Sequence, residues 1–347
     1  MLTAKENLLE TIRGGKPDRF VNQYEAFHML SHPFGMFGNG ERPQPGQMNC
    51  KNAWGVISSW PAHTPAPYPE HTPDKVVVKD IECWQDYVHA PSLKFTDEQW
   101  GIAKELYDAV DSSKAFRTAM IHPGLFEQSH YLCSMTEALV NYMAYPDEMH
   151  DLIRYLTDFE LELAEGICSH LHPDAIHHHD DWGSEASTFL SPEMFADFFL
   201  EPYKEIYRYY HEHGVQVIVH HSDSYAATLV PSMIEMGIDI WQGPMRSNDI
   251  GALLEKYGGQ ISFMAGIDNK QVDFEGWTRE DCRIAAEKAC DEFGRDMKYY
   301  IPCISQGLPG SIYPGVYEML TEEIDKINAA RFGITDPESA RLPVQRF

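Results

Sequence analysis

Residues 191–223, SPEMFADFFLEPYKEIYRYYHEHGVQVIVHHSD, set the architecture. Ser191-Pro192 opens a helix and Gly214 stops it, the usual punctuation of a helix start and end. A short apolar run follows, too short for a second helix and without an exposed face, and reads as a buried strand of a parallel sheet. It ends in His220, His221 and Asp223. Side chains alternate along a strand, so His221 and Asp223 share one face while His220 points the other way.

The same helix-then-strand unit recurs on both sides. Strands are predicted at FVNQYEAF (20–27), FRTAMIH (116–122), DAIHHHDD (174–181), IDIWQ (238–242), ISFMAGID (261–268) and MKYYIPCIS (297–305). Helices are predicted between them, among them PDEMHDLIRYLTDFELELAEGICSHL (146–171), with Pro in its first turn. Seven or eight such units at 30–45 residue spacing predict an α/β fold, a (β/α)8 TIM barrel, rather than two open sheets. The whole chain, 1–347, reads as one barrel domain with an irregular segment at about 21–95. There, runs such as PAHTPAPYPEHTP (61–73) cannot be helical, and a lid over the barrel mouth is expected. No strand leads into a glycine-rich phosphate loop, so nucleotide chemistry has no support.

Charge narrows the function. With 27 Lys and Arg against 53 Asp and Glu the net charge is −26, which disfavours nucleic acid and anionic membrane surfaces as partners. No stretch is long and apolar enough to cross a membrane and the first 20 residues lack a signal-peptide core, so a cytoplasmic location is expected. The seven cysteines are scattered and contain no CxxC, which argues against a disulfide framework.

Barrel chemistry sits at the C-terminal ends of strands, and here those ends carry His, Asp, Glu and Cys. His221 and Asp223 can reach one metal, and Cys303 is the one cysteine at a strand end. Three such ligands and an open fourth place form the catalytic zinc pattern. In HHHDDWGSE (177–185), His177, His179 and Asp181 share one face and His178 and Asp180 the other. Asp181, Asp268 and His179 are candidates for acid–base work, and Glu185 for a further metal ligand. Tyr24, Glu25, Trp54, Trp182 and Gln242 are candidates for the substrate wall.

The stretches KENLLETIRGGKPDR (5–19), NAWGV (52–56), DDWGSE (180–185), EMGIDIWQ (235–242) and YGGQISFMAGID (257–268) together resemble the uroporphyrinogen decarboxylase superfamily. That resemblance implies a (β/α)8 barrel and offers two chemistries. The decarboxylases hold a polycarboxylate with N-terminal arginines, whereas residues 20–43 here contain only Arg42. The second branch comprises zinc-dependent, corrinoid-linked methyltransferases marked by His-x-Cys and a distant Cys. The resemblance places the histidine on His221, the first cysteine on Asp223 and the second on Cys303. Loss of one thiolate implies a harder, more Lewis-acidic zinc, suited to polarising an ether oxygen.

The implied activity is demethylation of a methyl ether, with an aryl ether expected, the methyl passing to Co(I) of a separate corrinoid protein. The corrinoid belongs to the partner because this chain lacks a DxHxxG cobalamin motif. The alternatives are a methylcobalamin:thiol methyltransferase of the coenzyme M type and a metal-free decarboxylase or lyase. The resemblance also implies a possible homodimer.

Overall fold

The computed structural model describes residues 1–64, 66–306, 311–343 and 345. Seven parallel strands form one curled sheet in chain order: β1 (Phe27–Leu30), β2 (Phe116–Ile121), β3 (Ala175–His179), β4 (Val217–His221), β5 (Ile240–Gln242), β6 (Ser262–Ile267) and β7 (Tyr300–Ile304). Helices return the chain between successive strands from β2 onward, as expected of a TIM-barrel-like fold. Six of the strands are those anticipated; the first, expected at 20–27, instead begins at Phe27 and runs to Leu30, and no eighth joins the sheet among the described residues. Where β1 and β7 approach, residues 20–22 are irregular and 23–26 form a turn in place of a strand, and a bond from the Gln23 N–H to the Pro302 carbonyl (3.3 Å) bridges the seam.

Helix starts follow local chemistry. Thr3 and Thr96 each close a capping box, on Ala4–Ile12 and Asp97–Asp108. Ser191 accepts from the Met194 N–H ahead of Pro192, and Gly237, left-handed at φ 86°, ends the helix Val230–Met236. The helix Pro146–Leu171 is 26 residues long and has Pro at its start, as its sequence predicts.

Alternation along the strands sorts the core into two shells. Ile176, Ile218, Trp241 and Phe263 pack outward with the helices. Ala175, Val217, Val219, Ile240, Met264 and Ile301 belong to the inner cluster. All are fully buried, and each large one stabilises the fold by about 1.5–3 kcal/mol.

The N-terminal excursion carries β1, a short wide-turned helix at Phe34–Gly38, and a small antiparallel sheet of Cys50–Lys51, Ile57–Ser59 and Tyr68–Pro69. Trp54 from this segment is buried and packs edge-on against Phe159 of the long helix, ring centres 4.8 Å apart.

Candidate functional site

β3 and β4 are paired so that His177 opposes Val219, His178 opposes His220, and His179 opposes His221. The inward set is a column of imidazoles: His179 and His221 stack at 4.4 Å between ring centres, and His177 lies 5.8 Å from His221. His122, just beyond β2, meets His179 edge-on at 4.6 Å. Among the described residues two three-membered groups bring their ligating atoms within 4.8 Å of one another: His179 with Asp181 and His221, and His122 with Glu127 and His179.

The first group fits a catalytic metal. Gln242 Oε1 accepts a hydrogen bond from His221 Nδ1, and Gln242 Nε2 donates to the Ile304 carbonyl (3.3 Å), which fixes the amide's orientation. His221 Nδ1 therefore carries the proton and Nε2 keeps its lone pair, 3.8 Å from Asp223 Oδ2. Burial, with the neighbouring His179, depresses the His221 pKa to about 4, so the ring is neutral. His179 Nδ1 is held by Glu127 Oε2 at 2.8 Å. Burial alone would lower the His179 pKa, but the Glu127, Asp181 and Asp223 carboxylates outweigh it and raise it to about 10. This concentration of carboxylates around an imidazole calls for a cation. Two nitrogens and a carboxylate, each histidine oriented by an outer partner, make a zinc-compatible set with room for a further ligand.

The outward set is a fixed hydrogen-bonded frame. His220 Nε2 donates to the Asp180 carbonyl (3.2 Å), so its Nδ1 is bare and accepts from Tyr207 Oη (2.8 Å). Tyr207 Oη then accepts from His178 Nδ1 (3.1 Å), leaving His178 Nε2 bare, 3.4 Å from Glu160 Oε2. Asp180 serves as a remote cap. Its carboxylate accepts from the backbone N–H of Phe126 (3.0 Å) and Glu127 (2.7 Å), from Trp182 Nε1 (2.8 Å) and from Tyr203 Oη. Tyr203 Oη also receives the Leu125 N–H (2.9 Å). The start of the helix Leu125–Cys133, whose N-cap Gly124 has no side chain to offer, is thereby satisfied from two other elements. Glu127 is carried on its first turn to His179.

A small cleft opens beside the imidazoles. Phe34, Trp54 and Phe159 form its aromatic wall, and His32, Asn39, Gln128 and Glu160 its polar groups; His122 lines it and also touches His179.

The sequence-derived candidates divide clearly. The structure brings His179, Asp181 and His221 together, with Asp223 beside them, and Trp54 lines the cavity. Gln242 orients His221. Cys303 belongs to neither metal group: it is fully buried in the inner cluster with Tyr24 and Tyr317, and burial pushes its thiol pKa up. Glu185 is exposed and paired with Lys270, too far out to join either group. Asp268 ends β6 as the cap of Asn269–Val272, accepting from the Lys270 N–H. Trp182 is buried behind the site, stacked on His220 at 3.9 Å. Glu25 lies before β1, at the opposite end of the sheet from the imidazoles, between Arg19 (3.6 Å) and Arg341 (3.4 Å), and that pairing gives it a structural part. Tyr24 and Glu25 line a second cavity with Arg341 and Gln345, and the Tyr24 ring also lies 6.1 Å from that of His177.

Glu127, Gln128, His32 and Glu160 escaped the sequence reading. Glu127 and Gln128 sit on Leu125–Cys133, a helix whose cap is supplied from afar, so no local start signal marks it. A carboxylate one turn beyond the strand-end Pro123-Gly124 was the available clue.

The family model described as uroporphyrinogen decarboxylase (URO-D) matches residues 125–327. A solved methyltransferase from Methanosarcina mazei is similar in fold, with a TM-score of 0.59 at 13% identity, covering 94% of this chain and 99% of its own. A B12-independent methionine synthase from Shewanella sp. W3-18-1, in complex with selenomethionine, aligns with a TM-score of 0.45 at 13% identity over 72% of this chain and 71% of its own. No curated protein sequence matches.

Proposed function

The chain belongs to the uroporphyrinogen decarboxylase family, and from that premise we propose that it is a zinc-dependent methyltransferase that demethylates an aryl methyl ether. The methyl acceptor is Co(I) of a corrinoid carried by a separate protein. The observation that carries the reading is the meeting, through His122, of an aromatic-walled cavity with the inward group His179, Asp181 and His221.

When bound by these three residues, with Asp223 alongside, zinc supplies Lewis-acid polarisation of the ether oxygen. Gln242 keeps the His221 lone pair free and Glu127 orients His179. The aromatic wall excludes water and holds the aryl ring, so that the methyl group faces the mouth. In the reaction the methyl–oxygen bond breaks and its electron pair stays on the oxygen. The acceptor's own pair forms the new bond to carbon, Co(I) becoming Co(III), and the phenolate takes a proton from solvent at the mouth. The replacement of the family's first cysteine by Asp223 favours this ether chemistry over thiol methylation, which a sulfur-rich site serves better.

The test is methyl transfer from methoxylated aromatics to a Co(I) corrinoid protein, followed by the absorbance of methyl-Co(III). Zinc-loaded protein should give turnover that His221→Ala abolishes. Turnover with no methoxylated aromatic, or equal turnover in His221→Ala, would overturn the assignment.

A further inference from the structure

The cleft beside the imidazoles is shut. It has room for water-sized occupants only, far short of an aromatic ring. One wall, Leu156, Phe159 and Leu163, belongs to the long helix Pro146–Leu171 and is part of the core. The facing wall, Phe34, Asn39 and Trp54, comes from the N-terminal excursion. Phe34 and Trp54 meet Phe159 edge-on, at 5.3 and 4.8 Å between ring centres. An aryl ring can enter only when the excursion lifts from the helix.

The excursion also reaches the helix Leu125–Cys133, which carries Glu127 to His179. The Val78 N–H donates to the Leu132 carbonyl (3.0 Å). Two residues back on that helix, His130 meets the ring of His71 edge-on, 6.2 Å between centres. His130 is 7% exposed and His71 half-buried, yet His130 Nδ1 and His71 Nε2 have no hydrogen-bond partner among the described residues. Packing alone therefore joins the two imidazoles, and a charge on either would be buried without a partner.

The surroundings keep both rings neutral. Burial, helped by the facing His71, lowers the His130 pKa to about 3, and burial lowers that of His71 as well. Asp181 draws a proton toward His130 but is outweighed. Tyr131 presents its ring to His130 at 4.8 Å, and Glu70, next to His71, is paired with Lys75 (3.6 Å).

We propose that the part of the excursion carrying Phe34, Trp54 and His71 is an acid-released gate over the site, latched on His130 while both imidazoles are neutral and opened when they take up protons. The proposal rests on the aryl ether reading for what the gate admits, and it regulates access to that same site. Opening hydrates both rings, which then titrate at about 6.5. The closed form binds fewer protons, so it is favoured above that pH. Below it, the opening constant rises about 10-fold per pH unit through His130 alone.

Hydrogen–deuterium exchange of the Val78 amide in the full chain tests this. Corrected for intrinsic exchange, its opening constant should rise at least about 20-fold between pH 7 and pH 5. Amides of β4 should stay better protected than Val78 at both pH values, which separates gate opening from global unfolding. His71→Phe and His130→Phe, checked for folding by thermal unfolding, should each reduce the rise, and the double variant should abolish it. Association of methoxybenzene, followed by tryptophan fluorescence, should accelerate by the same factor in the unsubstituted chain. A Val78 opening constant that ignores pH, or one that responds as fully in the folded variants, overturns the proposal. Acid opening without methoxybenzene binding would overturn the aryl reading and leave the gate standing.

Discussion

Gln242 Oε1 accepts the proton of His221 Nδ1, and both side chains are buried on adjacent strands whose register places them directly opposite. This pairing turns an ordinary strand-end histidine into one with a fixed tautomer and a lone pair directed at Asp223. Outer partners of this kind typically change metal affinity 10- to 100-fold when removed. Gln242→Leu should therefore weaken zinc binding by about that factor, whereas Gln242→Glu, which keeps an acceptor, should bind nearly as well; competition with a chelating dye measures both. Equal affinity in the Leu variant would show that the pair has no orienting part.

Asp180 works at a distance from chemistry. It satisfies Tyr203 Oη, Trp182 Nε1 and two backbone N–H groups, so Asp180→Ala leaves four buried donors behind. A loss of about 3–5 kcal/mol is expected in denaturant unfolding. Metal affinity should fall too, because Glu127 and His179 lose their support.

Gly124 shows how tightly this cap is built. A Cβ there would lie 2.6 Å from both Asp180 Cβ and Tyr203 Oη. Its backbone is extended and acceptable to any residue, so the constraint is space alone. Gly124→Ala should destabilise the protein by about 1–3 kcal/mol through overpacking, measured by the same unfolding curves; a neutral result would mean the cap can shift.

The pH dependence of stability follows from histidines buried neutral. Burial lowers the pKa of His32 to about 4; burial, helped by His71, lowers that of His130 to about 3. Between those values and the unfolded value near 6.5, the unfolded chain binds protons that the folded chain does not. Stability is thus full above about pH 6.5 and falls as pH drops, by about 1.4 kcal/mol per pH unit for each histidine. Unfolding in urea at pH 7, 6 and 5 should show this decline, and His130→Phe should reduce its slope by about 1.4 kcal/mol per pH unit; a pH-independent midpoint would contradict it.

Much of the site was legible from one rule, the two-residue alternation of strands. It separated His177, His179 and His221, which face inward, from His178 and His220, which face the helices. Six of the seven strands were legible because parallel strands buried on both faces read as unbroken apolar runs, whereas the first, expected at 20–27, lies at Phe27–Leu30. Depth was not legible. From His221 the paired residues run through Gln242 and Met264 to Ile301, while Cys303 opposes Gly266. Which inward residue reaches the mouth depends on strand tilt and on what fills the layer below, here Tyr24 and Tyr317. Nor could the sequence show that Glu185 would find Lys270, or that Glu25 would be claimed by two arginines from the chain ends.

X-ray absorption at the zinc edge of the metal-loaded protein tests the central claim most directly. His179, Asp181 and His221 predict a first shell of nitrogen and oxygen only, at about 2.0–2.2 Å. A sulfur shell at about 2.3 Å would bring Cys303 into the site and contradict the assignment.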